Sequence, residues 1–314
     1  MSKLSQPQFH NEEAAILHLE SILWANGANC PHCGSVERLG RLKGKSVRPG
    51  LWKCYNCRKQ FTVKVGTVFE SSHVPLTKWL QAAFLMASSK KGISAHQLHR
   101  TLEVQYNTAW FMAHRLREAM RVLKIEPMGG EGKTVEADET FLGGLEKNKH
   151  AKDRKHTGRG PVGKEAVFSL VERGGKVRST HVQSVNADTL YPILNEQLKA
   201  ETHLMTDDAR QYIPLGKDFA AHDTVRHSIG EYVRGGAHTN TIEGYFSIFK
   251  RGMKGVYQHC KAHHLKRYLA EFDFRYNERE GLGMNDDLRT SNLLGGIKGK
   301  RLTYKTTNPQ ELSY

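Results

Sequence analysis

The chain has 314 residues, 38% of them hydrophobic, and its 47 Lys and Arg against 32 Asp and Glu give a formal net charge of +15. That length predicts two or three domains, and that charge, spread through every region, predicts a polyanionic partner such as nucleic acid. No apolar run approaches the ~20 residues that cross a bilayer, and the N-terminus has acids but no apolar signal core, so neither a membrane span nor export is expected.

Residues 1–26 carry a short amphipathic helix around EEAAILHLESILWA, with Ala15, Ile16, Leu19, Ile22 and Leu23 on one side. Residues 27–66 hold two CxxC pairs, Cys30 with Cys33 and Cys54 with Cys57, separated by 20 residues. Each pair makes a tight knuckle, and two knuckles close a tetrahedron around one Zn²⁺. All four positions are filled by cysteine, so the expected zinc is structural. The fifth cysteine, Cys260, has no partner pattern and reads as a packed thiol. Paired spacing with an odd count fits a reducing compartment, read as a bacterial cytosol.

Residues 67–125 are helical. LTKWLQAAFLMASS follows Pro75, SAHQLHRTL opens at a capping Ser94, and a further helix is expected from a cap near Asn107. The last two resemble a helix-turn-helix, which would set Arg115 and Arg117 on or near a DNA backbone; the rival is a helical pair that only packs on its neighbours. EPMGGEGKT, residues 126–134, is a glycine-rich linker and the main expected boundary.

Residues 135–280 alternate strands and helices. A strand at TVEADETFLGG, a hairpin at EAVFSLVERGGKVRSTHVQSV, a helix at NADTLYPILNEQL, a strand at THLMTDDA and two final helices predict a mixed α/β layer fold. Residues 281–314 read as a polar tail. Residues 145–164 carry seven Lys or Arg against two acids, among them Lys147, Lys149, Arg154 and Lys155, and suggest a basic hairpin that orders on DNA. His227, Tyr232 and His238 precede the next helix, where the two histidines are candidate DNA contacts.

Three acids carry the chemistry. Asp138 lies mid-strand between Val135 and Phe141, an unfavourable place unless it faces a cleft or a metal. Asp207, with Asp208 beside it, ends the strand at Leu204 and Met205, and is preferred because it follows the apolar residues directly. Glu243 follows with 35 residues between it and Asp207, on a helix whose residues 240, 243, 247 and 250 share one face. Carboxylates drawn together from three elements repel one another unless divalent cations neutralise them, and hard oxygen ligands suit Mg²⁺ or Mn²⁺. Asn240 would orient Glu243 or a water, while Lys250 and Arg251 would hold a phosphodiester.

The order Asp138, Asp207, Glu243, with Lys250 seven residues on, resembles the core of DDE transposases. The zinc ribbon running into KQFTVKVGTVFESSHVPLTKWL, then VEADETFLGG and HTNTIEGYFSIFKRG before LKRYLAEFDFRYNER, is similar to insertion-sequence transposases of the ISXO type, over roughly residues 20–280. The resemblance implies an RNase H-like sheet with Asp138 on its first, central strand, Asp207 on the neighbouring fourth strand, and Glu243 on a helix packed across it. It implies two cations per site, cleavage at element ends, transfer of the freed 3′-hydroxyl into target DNA, and a dimer or higher assembly on double-stranded DNA. Some relatives carry Asn in place of the last acid; here it is Glu243. A non-enzymatic zinc-ribbon regulator, or an RNase H-like nuclease or resolvase, are the alternatives.

Overall fold

In this computed structural model, residues 2–144, 148, 150–154, 161–226 and 238–303 are described; Lys147, Lys149, Lys155, His227 and Tyr232 lie outside them. The chain divides into two compact units, one of Met1–Arg121 with Gly283–Tyr314 and one of Val122–Leu282. The boundary thus falls before the glycine-rich linker, because Met128 already pairs with Leu198 and is buried in the second unit's core.

In the first unit, α1 (Glu12–Leu23) is capped by Asn11, whose side chain accepts from the Ala14 amide at 2.9 Å. It buries Ala15, Ile16 and Leu19. Three short antiparallel strands follow in the order β1 (Leu39–Arg41), β2 (Trp52–Cys54) and β3 (Gln60–Phe61). Their core is small: Cys30, Cys54 and Phe61 are buried, with Trp24 and Trp52 packed around them. Next come α2 (Leu76–Ser88), α3 (Ala95–Leu102) and α4 (Tyr106–Met120). Pro75 leaves α2 without a side-chain cap of its own, and Glu12 of α1 supplies one, accepting from the amides of Leu76 at 2.9 Å and Thr77 at 3.2 Å. Ser94 caps α3 as expected, whereas α4 starts one residue before Asn107, after an uncapped Gln105. Residues beyond 281 are not merely a tail. They form α8 (Asp286–Gly295), which buries Leu293 and Leu294 and leads to the buried Ile297, whose carbonyl accepts from the Val68 amide.

The second unit is built on five strands: β4 (Thr134–Leu142), β5 (Glu165–Glu172), β6 (Val177–Val182), β7 (His203–Asp207) and β8 (Ala221–Val225). Their order is β6-β5-β4-β7-β8, with β5 and β6 antiparallel to their neighbours and β7 and β8 parallel to β4. That is the RNase H-like arrangement, with β4 central and β7 beside it. Alternate residues of β4 and β5 face opposite ways. One face, with Val135, Ala137, Phe168 and Leu170, packs on α5 (Ala187–Gln197) through Leu190 and Leu194. The other, with Val167 and Val171, packs on α6 (Asn240–Gly252) and α7 (Ala262–Asn277) through Ile242, Phe246, Phe249, Leu269 and Phe272. Cys260 packs against this second core. No helix among the described residues is long and apolar enough to cross a membrane.

Candidate active site and metal centre

The four cysteines converge. Cys30 and Cys57 Sγ lie 3.6 Å apart, Cys33 and Cys54 Sγ 3.7 Å, and all four within 4.8 Å of one another. A tetrahedron with Zn–S of ~2.3 Å has edges of ~3.8 Å, so the sulfurs already stand at the spacing zinc requires. Backbone N–H groups of Cys57 and Asn56 help hold the Cys54 thiol down to about 7, which favours the thiolate a metal binds. The donors are four cysteine sulfurs in a closed set, the chemistry of a structural site.

The acids come from three neighbouring elements: Asp138 midway along β4, Asp207 at the end of β7 and Glu243 on α6. The last paired rung between β4 and β7 is Glu136 with Met205, so Asp138 and Asp207 stand level, two residues further along parallel strands. Antiparallel pairing sets Asp138 opposite Ser169 and Glu136 opposite Val171, so both point to the face that α6 covers. Glu243 lies in the first turn of α6, exposed, with Thr239 Oγ1 donating to its Oε1 at 3.2 Å. Burial, and then the negative charges of Glu139, Asp207 and Glu243, push the Asp138 carboxyl up to about 7 against the Glu139 amide, which donates to it at 2.7 Å. Asp207 Oδ1 accepts from the Ala209 amide at 3.1 Å. The acids are not drawn as tightly as the sulfurs: among the described residues, the cysteine quartet is the one group gathered within 4.8 Å. Carboxylates near enough to raise the proton affinity of Asp138 fit hard divalent cations.

Two groups at the site escape sequence reasoning. Glu139 is half-buried, and burial raises its pKa, while Gln211 Nε2 donates to it at 3.0 Å and the Tyr212 hydroxyl donates to its other oxygen. Glu136 is fully buried two residues before Asp138. Like Asp138, it is an acid inside an apolar strand, flanked by Val135 and Ala137.

Of the candidate DNA contacts, Asn240 and Arg251 are exposed and Lys250 is half-buried, its Nζ 5.9 Å from the Phe246 ring centre. Arg154 is exposed after a short 3₁₀ turn, Ala151–Asp153. Arg115 and Arg117 are a correction: both are buried, at 9% and 2% exposure. Arg115 Nη1 donates to the Glu70 carbonyl at 3.1 Å, and its guanidinium lies 4.8 Å from the Phe111 ring centre. Helix α4 is buried along its C-terminal half and exposes its first turn, at Tyr106 and Asn107. His238 is half-buried, with Nδ1 3.2 Å from Glu136 Oε1.

Comparison with known proteins follows the same division. Residues 129–277 match the ISXO2-like transposase domain and residues 10–60 the transposase zinc-ribbon domain. The chain is 31% identical over 281 residues to an uncharacterized protein in transposable element ISH50 of Halobacterium salinarum, covering 85% of this chain and 91% of that one. It is 28% identical over 105 residues to an uncharacterized transposase-like protein of Haemophilus influenzae, covering 33% of this chain and 84% of that one. Among solved structures, the Mos1 strand transfer complex is similar at 13% identity and a TM-score of 0.27, covering 68% of this chain and 72% of that one. Likeness that slight carries no weight beside the near full-length relative and the two domain matches, from which the chain belongs to the ISXO2-like family of insertion-sequence transposases.

Proposed function

We propose that this transposase cuts and joins DNA at the ends of its insertion sequence through Asp138, Asp207 and Glu243, which together hold two Mg²⁺ or Mn²⁺ ions. The observation that carries this reading is the level placement of Asp138, midway along β4, and Asp207, at the end of the adjacent parallel β7, with Glu243 on the helix that covers the same face. When bound, the cations lower the pKa of an attacking water or 3′-hydroxyl and neutralise charge on the departing oxygen. The residues of the chain supply the rest. Asp138 would hold the ions together with Asp207 and Glu243, whose negative charges both act on its carboxyl. Asn240, Lys250 and Arg251, along and beside the exposed face of α6, bind and orient the phosphodiester. Arg154, with Lys147, Lys149 and Lys155 of the same basic stretch, follows the DNA backbone, in keeping with the charge of +15. No covalent protein–DNA intermediate is required. The ribbon holds one Zn²⁺ on Cys30, Cys33, Cys54 and Cys57 and serves recognition of the element's ends. The protein works in the cytoplasm on double-stranded DNA, at terminal repeats and target, as a dimer or larger assembly that brings two ends together.

The test is cleavage of duplexes carrying the element's terminal repeats in Mg²⁺. Asp138→Asn and Glu243→Gln each lose on the order of 10³-fold or more in cutting rate, roughly 4 kcal/mol of transition-state stabilisation, while end binding stays within about 3-fold. If both variants still cut, these acids are not the site. Cutting of structured DNA irrespective of terminal sequence would point instead to a resolvase.

A further inference from the structure

Helix α6 carries Glu243 in its first turn yet begins without a cap of its own: Thr239 makes no side-chain bond to the first-turn amides. The acceptor comes from β4. Glu136 Oε2 accepts from the amides of Thr241 and Ile242, both at 2.9 Å, and Oε1 accepts from Thr241 Oγ1 at 2.9 Å. Arg173 Nε donates to the same Oε1 at 2.7 Å. Glu136 is 0% exposed, and each of its oxygens has two donors, the condition under which a buried carboxylate is tolerated. Its charge also lies at the positive end of the helix dipole.

Arg173 extends the tie. It follows β5, and its amide donates to the Thr134 carbonyl at the start of β4. Its Nη2 reaches Met205 of β7 and donates to the His238 carbonyl at the entry to α6 at 2.8 Å. Glu136 is two residues from Asp138, Met205 two residues from Asp207, and His238 and Thr241 flank the start of the helix bearing Glu243. One ion pair therefore touches all three elements that carry the acids.

From this we infer that Glu136 and Arg173 form a positioning pair that docks the amino end of α6 on β4 and β7 and so sets Glu243 against Asp138. This rests on the three-acid reading above. Neither residue touches DNA or metal in the proposal; they act through Glu243. A local Ser or Asp cap would satisfy the helix amides equally well but would leave the helix free to shift on the sheet. A cap reaching from β4 fixes the helix end to the strand whose acid it must meet.

The test uses the full-length protein with its zinc and compares Glu136→Gln, Glu136→Asp and Arg173→Lys with Asp138→Asn. The glutamine keeps the size but turns one accepting oxygen into a donor facing Arg173; the aspartate keeps the charge but is one methylene short of α6. The expected result has four parts. Amide exchange at Thr241 and Ile242 quickens about tenfold in both Glu136 variants. Mn²⁺ binding, read by EPR, weakens. Single-turnover cleavage at saturating DNA falls roughly 10–100-fold. The DNA concentration at half-saturation stays within about twofold. Glu136→Asp does not rescue cleavage, since reach and not charge alone is at issue. Faster exchange with wild-type cleavage and Mn²⁺ binding would reduce the pair to a stabilising cap and overturn the inference. If Glu136→Gln does not fold, Arg173→Lys decides by the same readouts, and wild-type behaviour there overturns it too. An inactive Asp138→Asn beside wild-type Glu136 and Arg173 variants overturns this inference alone; an Asp138→Asn that still cuts brings down the three-acid reading and this inference with it.

Discussion

In the ribbon, sulfurs from two knuckles stand 3.6 and 3.7 Å apart across the pairs and all four lie within 4.8 Å. In the sheet, Asp138, Asp207 and Glu243 come from two strands and a helix and are not gathered so closely, yet Asp207 and Glu243 are near enough to add to burial and Glu139 in pushing the Asp138 carboxyl up to about 7. The ribbon's core is three buried residues ringed by a few half-buried ones, so its ligands must supply the folding energy that its side chains cannot. The sheet has two full cores, one on each face, and can carry a cluster that costs stability. A metal set that serves folding is closed and relaxed by its ion. One that serves chemistry is open, partly exposed and strained until charge is neutralised. The comparison predicts opposite signs for ligand removal in the two units.

The largest effect belongs to the ribbon. Structural zinc in small modules contributes apparent binding energies on the order of 10 kcal/mol. Cys30→Ser should therefore lose about one zinc per chain and fast-exchanging amides should spread over β1–β3, with specific end binding lost. Metal analysis with amide exchange checks this; zinc retained at wild-type stoichiometry would refute the four-cysteine site.

In the sheet, removing a ligand should stabilise. The folded-state value of Asp138, about 7, lies above its ordinary 3.8, so between those values the folded chain holds a proton that the unfolded chain has released. Its contribution is complete below about pH 4 and is lost as pH rises through 7. With chelator present, Asp138→Asn should match the wild type near pH 4 and exceed it by on the order of 2 kcal/mol at pH 8. Millimolar Mg²⁺ should raise the wild type and not the variant. Thermal melts across pH, with and without Mg²⁺, decide it. A variant less stable than the wild type at pH 8 would mean the acids are a structural network and not a strained site.

Legibility in the sequence follows the same divide. CxxC spacing dictates its own geometry, so the ribbon could be read from cysteine positions alone. The acids could be read because a carboxylate in an apolar strand demands a reason, and the register of β4 on β7 sets the two aspartates level. Strand β8 escaped because Ala-His-Asp-Thr-Val is a short, half-exposed edge with no apolar alternation. Helix α8 escaped because its polar residues outnumber Leu293 and Leu294, and only burial against a partner tells a tail from a helix. Arg115 and Arg117 misled for the converse reason: charge in a helix reads as surface until tertiary packing buries it. Glu136 is the instructive miss, for its partners Arg173, Thr241 and Ile242 are 37, 105 and 106 residues away.

The smallest effect sharpens which of two adjacent acids belongs to the cluster. Successive residues at a strand end point to opposite sides, so Asp207 and Asp208 cannot both face Asp138. Asp207 acts electrostatically on Asp138, Glu139 and Tyr212 and is half-buried, while Asp208 is exposed. Asp207 also folds its carboxylate onto the Ala209 amide, which fixes the strand end beneath it. Asp208→Asn should therefore leave cleavage of element ends within about threefold of wild type, whereas Asp207→Asn should cost as much as Asp138→Asn. Single-turnover cleavage with Mg²⁺ for the two variants side by side is the measurement. Equal losses would mean that the strand end rearranges on DNA to bring both carboxylates to the ions, and an inverted pattern would move the second ligand to Asp208.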